Sequence, residues 1–74
     1  MQSHHDHYAD LVKFGQRLRE LRTAKGLSQE TLAFLSGLDR SYVGGVERGQ
    51  RNVSLVNILK LATALDIEPR ELFC

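Results

Sequence analysis

The tightest constraint on this chain is the punctuation of one stretch, Leu27 to Arg51, which reads LSQETLAFLSGLDRSYVGGVERGQR. Ser28 offers a side-chain acceptor to the free N–H groups of a helix start, and good helix formers follow it. Gly37 lacks the Cβ that makes positive φ costly, so it can end that helix. Leu38 can fold apolar surface back over the turn, and Asp39 offers a second N-cap. A second short helix then runs from about Arg40 to Arg48 and stops at Gly49.

Two short helices joined by a tight glycine turn follow the helix-turn-helix plan, in which the second helix enters the DNA major groove. At about 100° per residue, Val43, Val46 and Glu47 share one side of that helix. Ser41, Gly44, Gly45 and Arg48 fall on the other, with Arg40 at its leading edge. Arginine can bond guanine O6 and N7 with two parallel hydrogen bonds, and serine can donate or accept at several base edges. Gly44 and Gly45 each cost a helix roughly 1 kcal/mol relative to alanine, which a merely solvated face would not require. Either they let the backbone approach bases or phosphates, or they relieve packing against a neighbouring helix.

The segment SQETLAFLSGLDRSYVGGVERGQRN resembles the XRE (Cro/repressor-type) helix-turn-helix family, through SQ-x-x-LA and V-E-R-G in combination. The part LDRSYVGGVERGQRNVS is similar to the small controller proteins of restriction-modification systems. The resemblance runs from about Phe14 to Phe73. It implies an all-α fold, a compact bundle of about five short helices of the lambda-repressor-like DNA-binding type. It also implies a homodimer on a pseudo-palindromic operator, and, for a controller protein, a delayed switch for an endonuclease gene. Residue by residue, it implies DNA contacts from Gln29 and Arg51 and a pairing of Arg22 with Glu47. Phe34 and Leu35 depart from the family pattern, which tends to be polar there.

Along the chain, residues 1–8 read as a flexible N-terminal tail and residues 9–74 as a single helix-turn-helix domain. The tail holds His4, His5 and His7, but a metal site needs three or four ligands on a scaffold, which a terminal stretch does not supply. The first helix is expected from about Ala9 to Lys25, with Leu11, Phe14, Leu18 and Leu21 facing the core and Gly26 beyond its end. Lys13, Gln16, Arg17, Arg19 and Glu20 populate its solvated side, and Gly15 marks close packing. Arg22 follows Leu18 by four residues and Glu47 follows Val43 by four, so both charges lie beside apolar stripes. Opposite charges turned inward need each other, because burying either alone costs several kcal/mol. An Arg22–Glu47 ion pair is therefore expected to clamp the first helix to the recognition helix.

The remaining candidates are Gln29, Tyr42, Arg51 and Asn52. Gln29 starts the second helix, near N–H groups that favour phosphate, and is otherwise a solvated glutamine. Tyr42 borders core and DNA face: its ring can pack while its hydroxyl meets a phosphate, or it can be buried outright. Arg51 is assigned a phosphate or groove contact, and Asn52 a phosphate or loop-ordering role. Ser54 caps a fourth helix, about Leu55 to Asp66, with Leu55, Ile58, Ala62 and Leu65 as its stripe, widened by Leu61. Pro69 begins a last turn. Val56, Leu59, Ile67, Leu72 and Phe73 are candidates for a two-fold interface, with packing into the subunit's own core as the alternative for Leu72 and Phe73. Phe34 and Leu35 widen the core, support Tyr42 or form a partner surface.

Seventy-four residues allow one domain with a marginal core, which oligomerisation often supports. The net charge is only +1. The distribution carries the argument: with Glu47 inward, the exposed charge from Arg40 to Asn52 is positive. No segment is apolar enough to span a membrane, no secretory signal is visible, and a lone Cys74 can form no internal disulfide, so a cytoplasmic protein is expected. No nucleophile–base pair, phosphate-cradling loop or metal quartet is present, so the chain is read as a non-enzyme without cofactor or small-molecule ligand. Its expected partners are double-stranded DNA and a second copy of itself. The rival function is an antitoxin-like or adaptor protein-interaction module on the same fold.

Overall fold

The computed structural model describes residues 7–74. His4 and His5 of the histidine-bearing tail lie outside them. Four α-helices follow one another, α1 (Tyr8–Ala24), α2 (Gln29–Ser36), α3 (Arg40–Glu47) and α4 (Leu55–Leu65), and a 3₁₀ helix closes the chain at Pro69–Phe73. The expected bundle of about five short helices is thus four α-helices and one 3₁₀ helix. α1 begins at Tyr8, one residue inside the stretch read as tail.

The local signals act as their chemistry requires. Ser28 Oγ accepts from Thr31 N at 3.0 Å, and Ser54 Oγ from Asn57 N at 3.1 Å. Asp39 occupies the N-cap of α3 without a side-chain bond to it. Gly37 takes φ 73°, which lets the Leu38 N–H reach back to Ala33 O at 3.0 Å and so reverses the chain between α2 and α3.

Leu18, Leu32, Val43, Val46, Leu61, Leu65 and Leu72 form the fully buried centre, to which α1, α2, α3, α4 and the 3₁₀ helix all contribute. α3 packs against both α1 and α2, while α4 packs against α2 and the 3₁₀ helix. Three sequence expectations are corrected by this arrangement. Leu72 is fully buried in its own subunit, so it is not an interface residue. Leu55, assigned to the core stripe of α4, is exposed in the first turn of that helix. Arg17, assigned to the solvated side of α1, is half-buried, and its Nε donates to Glu71 O at 2.8 Å, tying α1 to the 3₁₀ helix.

Candidate nucleic-acid interface

The position of α3 is set by an ionic cluster on its inner side. Arg22 Nε donates to Glu47 Oε2 at 2.6 Å and Arg22 Nη2 to Oε1 at 3.0 Å, a two-pronged contact between buried side chains. Arg22 Nη1 donates to Leu27 O at 2.7 Å, so the same guanidinium also holds the loop after α1. The hydrogen bond to Glu47 raises the Arg22 pKa above the ordinary arginine value; burial opposes it, and the carboxylate charge adds to it. Gln29 Nε2 donates to Glu47 Oε1 at 3.0 Å. One carboxylate therefore joins α1, α2 and α3. Its negative charge is compensated inside, so the outer face of α3 does not carry it.

Two glycines bring α1 against the end of α3. A Cβ on Gly15 would lie 2.3 Å from Val46 O and 2.6 Å from Glu47 O, so only glycine admits the backbone contact. Gly49 ends the recognition segment at φ 75°, and a Cβ there would strike Val12, 2.8 Å from its Cα.

The outer face of α3 carries Arg40 and Ser41 exposed in its first turn, and Arg48 exposed just beyond its last. Of the two roles the sequence left open for Gly44 and Gly45, bare backbone facing DNA is not what the structure has: both are buried beneath side chains of this subunit. A Cβ on Gly44 would sit 3.1 Å from Arg48 Nη1 and 3.5 Å from Gln29 Oε1, and one on Gly45 would sit 2.9 Å from Arg51 Cγ. The missing side chains thus leave a channel for Gln29 and Arg48 over Gly44 and for Arg51 over Gly45. Arg48 Nε donates to Gln50 Oε1 at 3.2 Å. The Arg51 guanidinium carbon lies 5.5 Å from the centroid of the Tyr42 ring, within cation–π range. Tyr42 is half-buried, and its hydroxyl accepts from Asn57 Nδ2 at 3.1 Å. Asn52 is exposed on the loop between α3 and α4. Gln29, Arg40, Ser41, Tyr42, Arg48 and Arg51 thus share one strip, with three guanidinium groups and no exposed acid between Arg40 and Asn52.

A helix-turn-helix family model matches residues 18–72, which include both caps, the glycine turn and the whole of α3. The chain belongs to the XRE-type helix-turn-helix family. Control protein C.BamHI of Bacillus amyloliquefaciens is 50% identical over 60 residues, covering 80% of this chain and 74% of that protein. The crystal structure of the hypothetical transcription factor NHTF from Neisseria superposes with a TM-score of 0.83 at 39% identity, over 100% of this chain and 86% of that one. The restriction-modification controller protein C.Esp1396I, solved as a tetramer with its natural 35 base-pair operator, superposes with a TM-score of 0.79 at 33% identity, over 85% and 83% of the two chains.

For this helix-turn-helix chain the strip has one member that the sequence did not announce. Asn57 lies on α4, 15 residues from its partner Tyr42. Its one local signal is an amide set between Val56 and Ile58 in the mostly apolar run LVNILKLATAL. Away from the strip, Phe34, Leu35, Leu55, Val56 and Leu59 are exposed, and Leu35, Val56 and Leu59 line a shallow groove between α2 and α4. Phe34 and Leu35 therefore neither widen the core nor support Tyr42. Phe73 is exposed on one side and tilts against Phe14 at 5.4 Å between ring centroids, while Ile67 is half-buried against the core.

Proposed function

We propose that this chain is a sequence-specific DNA-binding transcription regulator of the restriction-modification control type, working as a homodimer on a pseudo-palindromic operator. The carrying observation is the outer strip of α3. Its cations and amides converge on one face, while the nearby carboxylate, Glu47, is neutralised by Arg22 on the other. Relatives described as control proteins and a neighbour solved on its operator support the reading.

In this proposal Arg40 and Ser41 read base edges, and Gln29, Tyr42, Arg48, Arg51 and Asn52 set the register through phosphates. Gly44 and Gly45 serve as the floor beneath those side chains. Two recognition helices would meet half-sites about 34–36 Å apart. Of the exposed apolar residues, Val56 and Leu59 of α4, with Phe73, would meet the second subunit. Residues 9–74 act as one domain without catalysis, and regulation follows protein concentration through dimer formation. Among the described residues no helix is long and apolar enough to cross a membrane, and a regulator of this kind works where the DNA is, in the cytoplasm.

The test is selection of bound duplexes from a random pool at near-physiological salt. A recovered two-fold-symmetric sequence, bound with a steep salt dependence, is expected. The protein-interaction alternative draws on the 83% exposure of Phe34 beside Leu35. It takes precedence if the chain retains no duplex above background.

A further inference from the structure

Arg51 presents a cation whose direction is set by unusual means. It is exposed, and among the described residues no acidic side chain pairs with it. Its restraints come from α3 and α4. Along the stem, the absent Cβ of Gly45 leaves room for Cγ, Nε and Cδ, which would stand 2.9, 3.4 and 3.7 Å from an added methyl group. At the head, the guanidinium lies over the Tyr42 ring. The ring is itself held by Asn57, whose Nδ2 donates to the tyrosine hydroxyl from the first turn of α4. Asn57 is fixed in turn by the Ser54 cap on its own backbone N–H.

We propose that Asn57 and Gly45 are positioning residues for DNA recognition: Asn57 steadies the Tyr42 ring, Gly45 leaves the channel for the Arg51 stem, and together they aim the Arg51 guanidinium. This rests on the DNA-binding reading above. A free surface arginine loses side-chain freedom when it docks, so one ordered in advance binds at lower entropic cost. Packing on a ring and in a channel orders the side chain without neutralising it, which an acidic partner would do. Asn57 acts through Tyr42 and makes no contact of its own with the duplex.

The test couples two measurements on the full chain. The first is affinity for the selected duplex in a double-mutant cycle. Asn57→Ala is expected to weaken binding roughly two- to tenfold, the range for releasing one ordered side chain. The same change is expected to be nearly silent in an Arg51→Ala background, and in Tyr42→Phe, which keeps the ring and loses the hydroxyl. Gly45→Ala is expected to weaken binding while keeping or raising Tm, because alanine is the better helix former. A purely structural role would instead lower Tm, with binding lost only in step with stability. The second measurement is made without DNA: the ring-current shift of the Arg51 side-chain protons in NMR spectra, expected to shrink in Asn57→Ala and to vanish in Gly45→Ala. An Asn57→Ala effect undiminished in the Arg51→Ala background would overturn the proposal, since Asn57 would then act by a route other than Arg51, by touching DNA itself or through the phosphate contact of Tyr42. Unchanged affinity or unchanged ring-current shifts in Asn57→Ala would overturn it too. An unaltered protein that binds no duplex removes the regulator reading and the purpose assigned to the pair, whereas the spectra test the geometry separately.

Discussion

Removing the Glu47 carboxylate isolates the energetics of the cluster that seats α3. In Glu47→Ala the Arg22 guanidinium loses two of its three acceptors and keeps only Leu27 O, at 2.7 Å. With side-chain exposures of 9% for Arg22 and 3% for Glu47, water reaches the site poorly. Stranding a buried charge in this way costs about 3–5 kcal/mol. At about 0.05–0.15 kcal/mol per residue, a chain of this length has only about 4–11 kcal/mol of stability in total. The variant should therefore lose about a quarter or more of its stability, and its Tm should fall by roughly 12–40 °C at about 4–8 °C per kcal/mol. Urea titration and thermal melts followed by circular dichroism would measure this. The double change Arg22→Met with Glu47→Leu removes both charges, and is expected to recover most of the loss because an apolar pair of similar size avoids the desolvation cost. A Glu47→Ala melt within about 4 °C of the parent would show that the guanidinium finds water or another acceptor. A double variant less stable than either single one would show that the pair contributes favourable energy of its own, and the desolvation argument would be wrong.

Three further outcomes are expected. Gly15→Ala should lower the urea midpoint by an amount equivalent to about 1–3 kcal/mol, the scale of overpacking against an unyielding neighbour, even though alanine favours the helix; an unmoved midpoint would mean α1 and α3 can slide apart at no cost. Arg40→Ala should relax preference at one base pair per half-site by roughly 1–3 kcal/mol, seen on repeating the duplex selection, and equal weakening on every sequence would reassign Arg40 to the phosphates. Leu59→Lys, at an exposed apolar position of α4, should leave the melt nearly unchanged and weaken self-association at least about tenfold in sedimentation experiments, since a desolvated ammonium in an interface is costly; an unaltered association constant would take this part of α4 out of the dimer contact.

The sequence alone determined the order of the helices, and their bounds to within a residue, because these depend on neighbours a few residues apart. Ser28, Gly37, Gly49 and Ser54 act through caps and chain reversals whose partners lie within five residues. The helical period likewise put Val43 and Val46 inward and Arg40 and Ser41 outward. Arg22 and Glu47 were legible as inward-facing charges, since a buried charge needs an opposite one and the stretch holds few choices. Tertiary structure decided what bridges between helices. It placed Leu72 in the core when the chain end left that open, drew Gln29 onto Glu47, and laid Arg48 and Arg51 over Gly44 and Gly45, for which two roles stood open. It also joined Asn57 to Tyr42 across 15 residues, where no periodicity links them. A helical pattern says which way a side chain leaves its own axis. Whether another long side chain folds over that place depends on how the helices pack, and no local rule contains that information.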